Sequence, residues 1–338
     1  MTYGSEVRNF FDLAWWNTHN YFHFKPERVE KGKHSRWPQT REEYKEKSRR
    51  VDAALSELFS IVGMPTILAL GEITHTSAHE LRDRLLPTYR VASLDVKADS
   101  PTAQVALLYS TQHDLVKLEE QPPVIVPRTP RGTRPMAVID AKIKDHTVRI
   151  FACHWQARID EKGSKILRNR MADHLSGECY DFINDRPGYN HVAIIGDFNE
   201  EPFEDSFGTL NAHRHRIRSL GKGHWADEDV RRAHLYNTAW RMMGEKHPHP
   251  TEDNPGKTLK DCAGSYYWEE SKSWHLFDQL IVSGGLLSAK LPYIDEKEIA
   301  IVSSEAFLSD NLPIGFSRTK DKFCGLSDHL PLYAKMYI

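Results

Sequence analysis

Apolar positions along the chain follow two different spacings. From Arg41 to Val62 they recur at Tyr44, Val51, Ala54, Leu55, Leu58, Phe59 and Val62, and Gly63 and Pro65 follow. That spacing puts them on one stripe and predicts an amphipathic helix closed by its glycine and proline. Residues 66–72 form instead a short continuous apolar run with Glu72 at its far end. Runs of this kind suit strands covered on both faces. Similar runs at 105–110, 136–143, 147–155, 191–196, 276–283, 300–303 and 330–337 predict a scaffold dominated by strands. Helical spacing returns at 165–183 and 229–243. The alternation predicts an α/β fold, a two-sheet β-sandwich flanked by helices, in a single domain spanning 1–338. Residues 21–40 and 212–255 read as surface insertions, and the proline- and arginine-rich 127–135 as an irregular turn.

Chemistry enters where the runs stop. Glu72, His154, Asp197 with Asn199, Asp278, and Asp328 with His329 all stand at or just beyond ends of apolar runs. Strand ends are rigid and the loops beyond them open, so polar groups placed there can form a site that is both ordered and accessible. Composition narrows the setting. Of 338 residues 40% are hydrophobic, enough for a large core, and a net charge of -2 excludes a globally basic nucleic-acid binder. Any basic surface is therefore local: Lys25, Arg28, Lys31, Lys33 and Arg36, then Arg128, Arg131 and Arg134, then Arg214, Arg216, Arg218 and Lys222. Cys153, Cys179, Cys262 and Cys324 form no CxxC pair and read as reduced thiols. No apolar run is long enough to cross a bilayer, so no stable membrane insertion and a cytoplasmic location are expected; protein partners stay open.

Several features are set aside. Gly256-Lys257-Thr258 lacks the earlier glycine of a phosphate-wrapping loop, since Thr251 stands there. The pairs His213/His215 and His247/His249 lie in loops without cysteine or carboxylate neighbours. Tyr266, Tyr267, Trp268 and Trp274 read as packing residues.

Ile194-Ile195-Gly196-Asp197-Phe198-Asn199 followed by Glu201-Pro202, and Leu326-Ser327-Asp328-His329-Leu330-Pro331, resemble two signature motifs of the endonuclease/exonuclease/phosphatase superfamily. Counterparts of its other motifs follow in the same chain order: Trp16-Asn17, Gly71-Glu72, Leu107-Leu108-Tyr109, Ala152-Cys153-His154-Trp155, and Phe277-Asp278 through Ser283. The resemblance spans nearly the whole chain and implies a four-layer, DNase I-like sandwich. It implies Mg²⁺ as cofactor, with Mn²⁺ as substitute, held by Glu72, Asn17 and Asp328. This agrees with the preference of a hard cation for a few carboxylates plus water. It further implies catalytic roles for His329 with Asp278 as a dyad, Asp197 and Asn199 around an attacking water, His154 at the phosphate, and Tyr109.

The expected function is metal- and histidine-assisted hydrolysis of a phosphoester, with nucleic acid as substrate. The alternative is a phosphatase or phosphodiesterase acting on phosphoinositide, sphingolipid or nucleotide-type substrates. Two positions depart from the pattern. Gly71 stands where many relatives carry glutamine, and Ser110 where many carry arginine.

Overall fold

In the computed structural model of the chain, the described residues are 9–26, 37–93, 105–127, 133–159, 161–216, 233–243, 263–288, 290–310, 312–318 and 323–338. They form two mixed seven-stranded sheets. The first contains β1 (Phe10–Tyr21), β2 (Ile67–Ile73), β3 (Tyr89–Ser93) and β4 (Val105–Ser110). The second contains β5 (Lys117–Val124), β6 (Met136–Ile143), β7 (His146–His154), β8 (Asn190–Asp197), β9 (Ala212–His213) and β10 (Leu235–Asn237). After a ribbon of β11 (Tyr266–Trp268) and β12 (Ser273–His275), β13 (Asp278–Ser283) completes it. The chain then returns to the first sheet with β14 (Tyr293–Ile294) and β15 (Ala300–Ile301). Two further ribbons pair β16 (Leu308–Ser309) with β17 (Leu312–Pro313) and β18 (Ser317–Arg318) with β19 (Phe323–Cys324), and β20 (Leu332–Tyr337) ends the sheet. The orders are β14-β20-β1-β2-β4-β3, with β15 also on β20, and β5-β6-β7-β8-β13-β10-β9.

Each sheet is organised on a parallel pair, β1/β2 and β7/β8. Parallel neighbours need a crossover, supplied by α1 (Arg41–Val62) and α3 (Glu161–Asp185). Helix α1 begins where expected: the Thr40 hydroxyl accepts the Glu43 N–H at 3.1 Å, and the Glu43 carboxylate accepts the Gln39 N–H at 2.7 Å. The period of two along β1 sends Trp15 to the inter-sheet core, with Ile67, Leu107, Ile150 and Ile195, and Trp16 to the outer face. There Leu55 and Leu58 of α1 and Leu81 of α2 (His75–Leu85) cover the first sheet. Met171 and Leu175 of α3 cover Phe151 and Ile194 on the second. Helix, sheet, sheet and helix are thus the four expected layers.

The helix expected over 229–243 is corrected: its described part is β10 followed by a 3-10 turn at Thr238–Arg241. Sheet pairing prevails there, because β10 lies against β13 and Asn237 donates its side-chain amide to Gln279 at 2.6 Å. Residues 27–36, 128–132, 217–232 and 244–262 lie outside the described residues. So therefore do Lys31, Arg128, Arg131, Lys222, His247, His249, 256–258 and Cys262, while Cys153 and Cys179 are free, buried thiols.

Candidate active site

Topology brings the polar residues to one edge. In β1 and β2, Asn17 stands opposite Gly71, beside Glu72; in β7 and β8, His154 stands opposite Asp197. Strand β13 starts at that edge, with Asp278 opposite Asp197, and β20 pairs with β1 so that Ser327-Asp328-His329 falls there too. Tyr109 does not. Strand β4 is antiparallel to β2, and Tyr109 pairs with Ile67, five residues before Glu72 and therefore roughly 17 Å away along the strand. Its hydroxyl donates to Glu120 at 2.6 Å and its ring joins the inter-sheet core, so the catalytic role expected for Tyr109 is withdrawn.

Backbone geometry shapes the edge. Glu72 and Asn199 both adopt left-handed conformations, φ 55° and 53°, which turn them out of the strand direction. Gly196 lets β7 and β8 close up, since a Cβ there would stand 2.0 Å from the Cys153 carbonyl oxygen. The loop after Asp197 is anchored from behind by a buried pair, Arg168 Nε to Glu200 Oε1 at 2.6 Å. Arg158 holds the Asn199 carbonyl at 2.8 Å. The turn carrying His329 is gripped by α1, where buried Lys47 donates to the Leu326 carbonyl and Arg50 to that of Gly325.

Within this frame the side chains converge. The Asn17 amide donates to Asp197 Oδ2 at 3.0 Å and to Glu72 Oε1 at 3.3 Å. His329 donates through Nδ1 to Asp278 Oδ2 at 2.7 Å, leaving Nε2 facing Asp197 Oδ2 at 3.7 Å. His154 Nε2 lies 3.5 Å from Asp197 Oδ2 and 3.7 Å from Glu72 Oε1. Asp197 Oδ1 accepts the Asn199 N–H at 2.9 Å, while the Asn199 amide donates to the Trp155 carbonyl at 3.1 Å. Tyr266 lies against the His329 ring, centroids 4.6 Å apart, so it packs on the site.

Burial and charge divide the ionisable groups. Burial raises the Asp197 carboxyl, an effect that the positive His329 opposes and Asp278 reinforces. Burial works against charge on His329 as well, but Asp278, Asp197 and Asp328 together outweigh it and raise its pKa. His154 goes the other way: burial, with Arg134 and His329 nearby, holds it neutral. Asp328 is kept below the usual carboxylate range, burial being outweighed by His19, whose Nδ1 lies 2.9 Å from Oδ1.

The donor chemistry fits a hard divalent cation. Asp197, Asp278 and His329 form the one tight group of potential ligands among the described residues, but the Asp278 oxygens are already committed to Trp15 and His329. Glu72 and Asp328, with side chains 19% and 27% exposed against 2% or less for Asp197 and Asp278, are the carboxylates open to an ion that keeps several waters. Asn17, also expected as a ligand, turns its amide nitrogen to the carboxylates, and its oxygen accepts the His19 N–H at 2.9 Å.

Four participants were not singled out from sequence. Arg134, read only as one of three basic residues in a turn, stands near Glu72 and Asp197 and donates to the Trp155 carbonyl. Its place before β6, antiparallel to β7, is the signal that could have found it. Trp15, His19 and Lys47 carried no motif. Of the later basic group, Arg216 pairs with Glu296 at 2.8 Å and Arg214 lies over the Trp240 ring, so these two are engaged away from the site.

The sequence profile of the Endonuclease/Exonuclease/phosphatase family matches residues 5–245. The chain belongs to that family. Its members are phosphoesterases, which makes this chain a hydrolase of that class. No curated protein sequence matches it significantly. Among solved structures it is similar to D. rerio TDP2 complexed with a single-strand DNA product, at 13% identity over 97% of this chain and 98% of that one, TM-score 0.55. It is also similar to the Bacteroides thetaiotaomicron mannosyl-6-phosphatase Bt3783, at 12% identity over 97% and 100%, TM-score 0.55. The human Nocturnin catalytic domain with bound sulfate shares 16% identity over 98% and 96%, TM-score 0.50. These likenesses show the DNase I-like fold. No helix among the described residues is long and apolar enough to cross a membrane.

Proposed function

We propose that the chain is a Mg²⁺-dependent phosphodiesterase that cleaves nucleic acid. The observation that carries this reading is the meeting of Glu72, Asn17, His154, Asp197 and His329, from both sheets, around one space. Glu72 and Asp328 would hold the cation, which when bound supplies positive charge to a phosphate oxygen and acidifies a water.

The chain's own residues divide the remaining work. Asp197, its carboxylate fixed by Asn17 and the Asn199 N–H, is placed to take the proton of the attacking water. His329, kept positive by Asp278, presents Nε2–H to the charge that gathers on the phosphoryl oxygens. Neutral His154 adds a second donor through Nε2. Water attacks phosphorus directly, and no side chain needs to become covalently modified.

Support for a polyanionic substrate comes from a cavity of about 540 Å³ between α1 and α2, which His23 helps to line and whose lining remains net basic: Arg41, Lys45, Arg49 and Arg84 stand against the carboxylates Asp52 and Glu80, with Arg84 paired to Asp52 and Arg49 to Glu46. It lies next to the site, because the His23 N–H bonds the Thr74 hydroxyl just beyond Glu72. The test is hydrolysis of labelled single- and double-stranded DNA and RNA beside phosphoinositide, sugar-phosphate and nucleotide substrates, with Mg²⁺ and with excess chelator. Cleavage of oligonucleotide that weakens steeply with salt and stops with chelator is expected. Turnover confined to the small substrates would replace the nuclease reading by a phosphatase one, and turnover in chelator would remove the metal.

A further inference from the structure

We propose that Trp15 is a positioning residue of this site, third in a chain Trp15–Asp278–His329, and that residue 71 is glycine so that the Trp15 ring can reach Asp278. The proposal rests on the reading of Asp278 and His329 as a catalytic dyad. Trp15 belongs to β1 in the first sheet and Asp278 to β13 in the second, yet the indole Nε1–H donates to Asp278 Oδ1 at 2.6 Å across the core. The other oxygen, Oδ2, accepts from His329 Nδ1 at 2.7 Å, and the Asp278 backbone N–H is held by the Ser265 hydroxyl at 2.9 Å. Every polar atom that orients this carboxylate is therefore engaged, and neither Trp15 nor Asp278 reaches solvent.

An indole N–H is a donor only, and an ionised carboxylate an acceptor only, so the bond has one polarity and fixes which face of Asp278 is turned to the histidine. Without the indole, Oδ1 becomes a buried acceptor with no donor. The carboxylate then rotates, and the His329 ring loses its fixed direction toward Asp197.

Gly71 supplies the independent sign that the ring's place is required. A Cβ at 71 would lie 2.8 Å from Cη2 and 2.9 Å from Cζ2 of Trp15, closer than real contacts allow. Any side chain at 71 and the indole of Trp15 would therefore compete for one volume. In this chain the indole fills it and reaches the second sheet.

The experiment uses Trp15→Phe, Gly71→Ala and the double variant in the full chain. Two readouts serve: kcat and KM on the best substrate of the panel above, and the low-field ¹H NMR signal of the His329 Nδ1–H, identified by its loss in His329→Ala. Trp15→Phe is expected to move or broaden that signal and to lower kcat about tenfold to a hundredfold, the range of a lost hydrogen bond to a charged group, with KM little changed. Gly71→Ala should do likewise by pushing the ring aside, yet add almost nothing in the Trp15→Phe background, where the smaller ring leaves room. An unmoved signal and unchanged kcat in Trp15→Phe overturn the proposal, as do additive effects in the double variant. If His329→Ala itself leaves hydrolysis intact, the dyad reading falls, while the NMR signal still decides whether Trp15 orients Asp278.

Discussion

Removing Arg168 should destabilise the fold far more than removing any exposed charge. Arg168, on α3, and Glu200, two residues after Phe198, are 3% and 0% exposed and joined at 2.6 Å; Arg168 also donates to the Gln156 carbonyl at 2.9 Å. Arg168→Ala leaves the Glu200 carboxylate buried with its charge uncompensated, a loss of about 3–5 kcal/mol for such pairs. For 338 residues the unfolding entropy is about 0.7 kcal/mol per degree, so the melting temperature should fall by roughly 4–7 °C.

The pH dependence gives a second check. Burial already raises the Glu200 carboxyl, with Arg168 opposing. A raised folded-state pKa means that stability is lost as pH rises through it, and deleting Arg168 raises it further. The deficit of the variant should therefore be largest near neutrality and shrink as acid protonates Glu200. Adding Glu200→Gln should recover much of the loss. Thermal unfolding followed by circular dichroism across pH measures all of this. A melting temperature within about one degree of wild type at neutral pH would refute the assignment of this pair as the buried anchor of the loop.

The dyad makes its own prediction: His329→Ala should cut kcat by roughly two to four orders of magnitude with the fold intact, and Asp278→Asn should be damaging but less so, both read by steady-state hydrolysis. The rate should rise with pH through an inflection above the ordinary carboxylate range, as Asp197 deprotonates, and fall only on the alkaline side, as His329 loses its proton; an acid limb at an ordinary aspartate value would remove Asp197 as the base. Glu72→Gln should weaken Mg²⁺ or Mn²⁺ binding by calorimetry, and an unchanged affinity would take Glu72 out of the cation site.

The amino-acid sequence determined the periodic elements and the motif residues. Local spacing suffices for α1, whose stripe and cap are written in consecutive residues, and for β2, β6, β7 and β8, whose apolar runs need no partner to be read. The strand-end placement of Glu72, His154, Asp197, Asp278 and His329 was legible for the same reason. Pairing direction was not, because it depends on which strands lie side by side; hence Tyr109, also at a strand end, belongs to the opposite edge. Strand β10 has helical spacing, but its conformation is imposed by pairing with β13 rather than by its own pattern. Contacts across hundreds of residues, such as Trp15 with Asp278, Lys47 with the Leu326 carbonyl and His19 with Asp328, have no local pattern to betray them. Each is a short-range force between groups that only the packing of two sheets and their covering helices brings within reach.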